Sequence, residues 1–174
     1  MKNHKIYLDM DGVLANFDLA TSAIVDKKSE DFSKSKLWKA IDKYNSNVQP
    51  FFENLPLIGD CHVLVNYLKN HFEDIQILTA SGKTPPDVKE QKIKWAQKHF
   101  PDFNIIVVKK ASEKSLYANN DSILIDDRKD NILSFKQAGG IGILHTSAEF
   151  TINEIKDLLK LEFNCGKLRY HTPV

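Results

Sequence analysis

Asp9 and Asp11 stand one residue apart in "IYLDMDGVLANF" (6–17), after an apolar run and before Gly12. Two acids so placed can divide a reaction between them. One ionised carboxylate attacks an electrophile; one protonated carboxyl gives a proton to the leaving oxygen and later takes one from water. Three further features close other apolar runs: "TAS" (Thr79, Ala80, Ser81), the lysine-bearing "KKASEK" (109–114), and Asp126-Asp127. An acid pair at a strand end is, alone, more often a turn or a helix cap. Four such features in this order make a far more specific pattern.

Their chemistry is coherent. Converging carboxylates repel one another and need a cation, and an all-oxygen set selects a hard ion, Mg²⁺. A metal beside Thr79, Ser81 and a lysine is suited to hold a phosphate. The metal favours the charged form of its ligands, whereas an acid/base group needs a raised pKa. Asp9 is therefore read as metal ligand and nucleophile, forming an aspartyl-phosphate, and Asp11 as acid/base.

Five short apolar runs must carry these residues: 5–9, 74–80, 103–109, 121–127 and 141–145. Each is rich in Ile, Val and Leu with little alternation, as in parallel strands covered on both faces. Helical spacing lies between them: Val63, Leu64, Tyr67 and Leu68; Ile93, Ala96 and Phe100; Ile132 and Phe135; Ile152, Ile155, Leu158 and Leu159. Gly139-Gly140 supplies a helix stop. Strands alternating with helices predict an α/β fold with a doubly wound parallel sheet. Such sheets bind ligands at the carboxyl ends of their strands, where the four features fall.

The interval 10–73 is too long for one crossover helix. Leu14, Phe17, Thr21, Ile24 and Val25 mark one helix, and Leu37, Ile41 and Tyr44 another, before Pro50 and Pro56 lead back to a core helix near Gly59. The expected organisation is a core of 1–17 and 58–163, a small helical cap of 18–57, and a tail of 164–174. The polar stretch 26–36 reads as a solvated link.

"DMDGVLANF", "ILTAS", the downstream lysine and "LIDDRKDN" together resemble the four motifs of the haloacid dehalogenase superfamily of phosphohydrolases. "YLDMDGVLANF", "LIDDR" and "GGIGILHTSAE" look most like its 5′(3′)-deoxyribonucleotidase branch. The resemblance implies strand order 3-2-1-4-5 and a cap after strand one. It implies Asp9 as nucleophile, Asp11 as acid/base with its backbone carbonyl on Mg²⁺, and Thr79 as the phosphoryl-binding hydroxyl, with Ala80 and Ser81 adding donors. It further implies Asp127 as direct metal ligand, Asp126 in support, and Asn131 as a partner behind them. Lys109, Lys110 and Lys114 compete for the lysine position; Lys114, a short loop past the strand, is favoured. A dehalogenase does not need an acid at Asp11, because halide leaves unprotonated; a phosphatase with an alkoxide leaving group does.

Phe17, Trp38, Phe51 and Phe52 fall in or beside the cap, where a ring can stack on a base or simply form the cap's core. Phe17, just past the acid loop, is the preferred substrate contact. Tyr7 and Phe135 read as core, and His145 as structural. The balance of 24 Lys+Arg against 23 Asp+Glu argues against a nucleic-acid surface. No apolar run approaches the ~20 residues of a membrane span, and no leader-like stretch opens the chain. Cys61 and Cys165 lack metal spacing and read as free thiols.

The expectation is thus a cytoplasmic Mg²⁺-dependent phosphatase of deoxyribonucleoside monophosphates, pyrimidine ones foremost, with a homodimer possible. A sugar or other small phosphate is the alternative substrate, and a silent phosphate-binding protein the rival from another class.

Overall fold

The computed structural model describes residues 4–25 and 33–168, with 161–168 as backbone. Five strands, β1 (Lys5–Leu8), β2 (Asp74–Ala80), β3 (Asn104–Val108), β4 (Ser122–Asp126) and β5 (Ile141–Leu144), form one sheet in the order β3-β2-β1-β4-β5. Every pairing is parallel. The expected fold and strand order hold.

Alternation along the strands divides the interior in two. Ile6, Leu8, Ile77, Ile123 and Ile125 enter one core with α3 (Cys61–His71), α4 (Val88–His99) and α6 (Ala148–Leu168). Tyr7, Leu78, Val108 and Leu124 enter the other with Ile132 and Phe135 of α5 (Lys129–Gln137). Tyr7 lies edge-on to Phe135, with ring centroids 6.3 Å apart, so both residues are core as expected. Helices thus cover both faces of the sheet, as an all-parallel arrangement requires.

Two local readings change. Val63 is 57% exposed, because the buried stripe of α3 runs through Cys61, Leu64, Val65 and Leu68 and leaves Val63 to one side. Leu14 is not helical: α1 spans only Phe17–Ser22, opened by Asn16, whose side chain accepts from the Leu19 amide at 3.0 Å. A second insertion helix, α2 (Lys34–Asn47), and a 3-10 turn (Phe52–Asn54) follow. The expected link at 26–36 lies mostly outside the described residues. Of the expected tail, 164–168 continue α6 as helix and 169–174 fall outside the description, as does the Cys165 side chain.

The insertion is tied closely to the core. Trp95 Nε1 donates to Leu55 O at 2.8 Å, and the Phe52 amide donates to Gln91 Oε1 at 2.8 Å. Gln91 in turn donates to Asn45 Oδ1 of α2 at 2.6 Å. Helix α4 is therefore the platform on which the insertion rests.

Candidate active site

Register places the acids. Leu8 aligns with Ile77 on one side and Ile125 on the other, so the chain leaves β1 between β2 and β4, and Asp9 emerges beside Asp126. The Asp9 amide extends the ladder to Ile125 O at 2.9 Å. A tight loop then winds around one carbonyl: Met10 O accepts from the amides of Val13, Leu14 and Ala15. Gly12 makes that turn at φ +81°, where a side chain is strained. The loop fixes both acids.

Asp9 Oδ1 accepts from the Met10 amide at 2.7 Å and from Lys114 Nζ at 2.8 Å. Lys114 also reaches Asp126 Oδ2 at 2.6 Å and is 2% exposed. Burial works to lower the Lys114 pKa, but Asp9 and Asp126 outweigh it and hold the ammonium protonated. It is carried by a 3-10 turn (Ala111–Tyr117), whereas Lys109 and Lys110 stay exposed. Of the three candidate lysines, Lys114 alone meets the carboxylates.

Asp126 and Asp127 part in direction. Asp126 is fully buried and spends its oxygens on Lys114, the Arg128 amide (2.9 Å) and Asn131 Nδ2 (3.0 and 2.9 Å). Burial first, then the charge of Asp9, raises its pKa. Asp127 lines the cavity and keeps an exposed edge. Burial, then repulsion from Asp9 and Asp126, pushes it up to about 7; given that exposed edge, the repulsion is the firmer cause. Oxygens of Asp9, Asp126 and Asp127 lie within 4.8 Å of one another. These three carboxylates face the Lys114 ammonium, and a divalent cation matches the remaining excess of negative charge. A hard, all-oxygen set of this kind fits Mg²⁺.

Asp11 stands apart from that cluster. Its Oδ2 accepts from Lys92 Nζ at 2.6 Å, while its Oδ1 is buried without a hydrogen-bond partner. Burial raises the Asp11 pKa against the lowering effect of Lys92. Thr79 is fully buried at the end of β2, and its hydroxyl accepts from Lys92 at 2.8 Å, leaving its own hydrogen to donate. Ala80 presents its carbonyl to Lys92 at 2.9 Å. The Ser81 amide donates to Val108 O at 2.9 Å, and its hydroxyl lies 3.4 Å from both Gly82 O and Val108 O, so the hydroxyl is the donor that Ser81 can turn towards a ligand.

Lys92 is a site residue that the sequence reading missed. A lysine in the middle of a helix normally reads as solvated. Yet Val88, Gln91, Lys92, Trp95 and Ala96 are the buried stripe of α4 at three- and four-residue spacing. That spacing was the available signal.

These groups open into a cavity of about 510 Å³. Phe17, Trp38 and Phe52 line it together with Lys83, Lys109, Lys110 and Arg128. Phe17 is half-buried, with its ring stacked at 22° on Phe52, 6.1 Å between centroids. Phe51 lies behind them and is 4% exposed, so its role is packing. His145 is buried against the Thr151 hydroxyl at 2.8 Å, away from the cavity lining, as a structural residue.

Comparison with known proteins now bears on this site. Residues 3–157 match the family model described as "5' nucleotidase, deoxy (Pyrimidine), cytosolic type C protein". Solved structures share the fold. A hydrolase from Streptococcus pneumoniae TIGR4 is 18% identical, with 92% of this chain and 100% of that one covered and a TM-score of 0.50. A hydrolase from Pseudomonas syringae is 12% identical, covering 89% and 99%, with a TM-score of 0.51. The putative HAD-hydrolase YfnB from Bacillus subtilis, bound to magnesium, is 14% identical, covering 83% and 89%, with a TM-score of 0.53. No curated protein matches the sequence. With the family model spanning most of the chain and the sheet order that the four motifs imply, the chain belongs to the deoxy-pyrimidine 5′-nucleotidase family and is a phosphomonoester hydrolase with the haloacid dehalogenase fold.

Proposed function

We propose that the protein is a Mg²⁺-dependent deoxyribonucleotidase that hydrolyses the phosphomonoester of pyrimidine deoxyribonucleoside monophosphates through an aspartyl-phosphate on Asp9. The observation that carries this reading is the pair of unlike acids at the end of β1. Asp9 is held by Lys114 and the Met10 amide through one oxygen, while Asp11 keeps an unpartnered buried oxygen beside an aromatic-walled cavity.

Asp9 Oδ2 accepts no hydrogen bond among the described residues and is the attacking atom. It bonds to phosphorus as the bond to the leaving oxygen breaks, and Asp11 gives that oxygen its proton. In the second half, water attacks phosphorus, Asp11 takes the water proton, and Asp9 is released. Thr79 Oγ and the Ser81 hydroxyl orient the phosphoryl oxygens, and Lys114 keeps Asp9 aligned. Asp9, Asp127 and the Asp11 carbonyl would hold Mg²⁺, with Asp126 and Asn131 in support. The metal, when bound, would supply charge stabilisation to the transferring phosphoryl group. The magnesium bound to the B. subtilis neighbour is consistent with this choice of ion.

The family's description supports a pyrimidine deoxynucleotide and a cytosolic setting. The ring wall of Phe17, Trp38 and Phe52 supports recognition of a base. A phosphate-release panel of 5′ and 3′ ribo- and deoxyribonucleotides beside sugar phosphates tests the reading. Preference for dUMP or dTMP is expected; faster release from sugar phosphates would overturn the assigned substrate.

A further inference from the structure

Lys92 Nζ has three N–H donors and three acceptors: Asp11 Oδ2 at 2.6 Å, Thr79 Oγ1 at 2.8 Å and Ala80 O at 2.9 Å. The side chain is 1% exposed, and the Phe52 ring lies over the ammonium at 5.2 Å. It therefore has no donor left for a substrate phosphate and no open path to one. Its neighbour Gln91, also buried, holds the Phe52 amide. One turn of α4 thus grips the acid loop, the end of β2 and the aromatic wall together.

The hydrogen bonds of Asp11 are one-sided. Oδ2 is gripped by Lys92; Oδ1 is buried and unpartnered. A buried carboxyl oxygen without a partner is costly unless something in the working complex meets it. The Asp11 side chain as a whole keeps 28% exposure and lines the cavity, so a leaving oxygen can meet the carboxyl there.

We propose that Lys92 is the positioning residue for proton transfer: by fixing Asp11 Oδ2 it holds the protonated carboxyl at the cavity, facing the leaving oxygen of the substrate. The inference rests on the reading of Asp11 as acid/base. In the step concerned, the Asp9–phosphorus bond forms, the phosphorus–oxygen bond to the alcohol breaks with its electron pair on that oxygen, and the proton moves from the Asp11 carboxyl to it. Lys92 neither gains nor loses a proton. A cation this close favours the charged carboxylate, so its contribution is direction rather than acidity. Geometric control of this kind matters because a misplacement of about 1 Å costs ~100-fold in rate.

Two matched substrates separate this role from a merely structural one. Benzyl phosphate releases an alkoxide that needs a proton; 4-nitrophenyl phosphate releases a phenolate that leaves without one. Their kcat/KM values, which report steps up to loss of the alcohol, are measured for wild type, Lys92→Met and Asp11→Asn, with melting curves for each. Lys92→Met is expected to lower kcat/KM for benzyl phosphate about 100-fold, with a loss at least about tenfold smaller for 4-nitrophenyl phosphate. Asp11→Asn should show the same contrast. Equal losses on both substrates for Lys92→Met, beside a retained contrast for Asp11→Asn, would overturn the positioning role and leave the nucleotidase reading intact. No contrast in Asp11→Asn would remove the acid/base reading and this inference with it. If Lys92→Met does not fold, Lys92→Arg, which keeps the charge but moves it, should show a smaller contrast of the same sign; equal losses there overturn the proposal.

Discussion

Gly12 and Asp127 compete for one place: a β-carbon on Gly12 would fall on the Asp127 carboxylate. The φ of +81° at Gly12 adds a backbone reason for glycine. The turn after Asp9 and Asp11 and the acid after β4 are thus packed directly against each other. Gly12→Ala should cost about 1 kcal/mol in stability from the backbone and lose ~100-fold in activity from the displaced carboxylate. Urea melts and phosphate-release assays on the same sample check this. Near-normal turnover would mean that the position of Asp127 is not critical.

Lys114 is buried between Asp9 and Asp126, so its removal strands both carboxylates. Breaking such a buried pair costs about 3–5 kcal/mol. Lys114→Met should lose that much in denaturant melts together with its activity. Lys109→Met and Lys110→Met, on exposed side chains, should stay within about 0.5 kcal/mol of wild type. Comparable destabilisation in all three would contradict the assignment of Lys114 as the core cation.

The acidic cluster predicts how stability and metal response depend on pH. Asp127 titrates near 7 in the folded protein against an ordinary 3.8, so between those values the folded state holds a proton that the unfolded chain has released. Stability from this group is full below pH ~4 and falls as pH rises towards 7. Below 7 the metal must displace that proton; above 7 it meets an open carboxylate. The rise in melting temperature caused by Mg²⁺ should therefore be larger at pH 8 than at pH 5.5, and Asp127→Asn should flatten the difference. An equal Mg²⁺ shift at both pH values would remove Asp127 as a ligand.

What the sequence made legible follows from which forces act locally. The strands could be read because parallel strands are continuous apolar runs, and four of the five lead into residues that line the cavity; their order was implied by the family resemblance. Asp9, Asp11, Thr79 and the Asp126-Asp127 pair were visible for the same reason. Lys92 was not, because burial of a lysine is decided by three acceptors brought from two other segments, and nothing beside it in sequence announces them. The pairing of the Ser81 amide with Val108 O was not legible, because it is a property of the sheet. Leu14 follows the helical spacing of its neighbours, yet three amides converging on Met10 O wind that stretch into a loop instead.

Phe17 carries the test of base recognition. Its ring is half-buried and lines the cavity, with Phe52 stacked behind it and Trp38 at 6.3 Å, so it can meet a ligand without repacking the core. Phe52 is 1% exposed and held through Gln91, so truncating it would disturb the fold and the acid site together. Loss of base stacking costs about 1–3 kcal/mol, which corresponds to roughly 5- to 150-fold in kcat/KM. Phe17→Ala should therefore lower kcat/KM for dUMP or dTMP by that factor. For acetyl phosphate, which has no ring to stack, the fall should be much smaller. Equal losses on the two kinds of substrate would assign Phe17 to packing alone and leave Trp38 as the ring that meets the base.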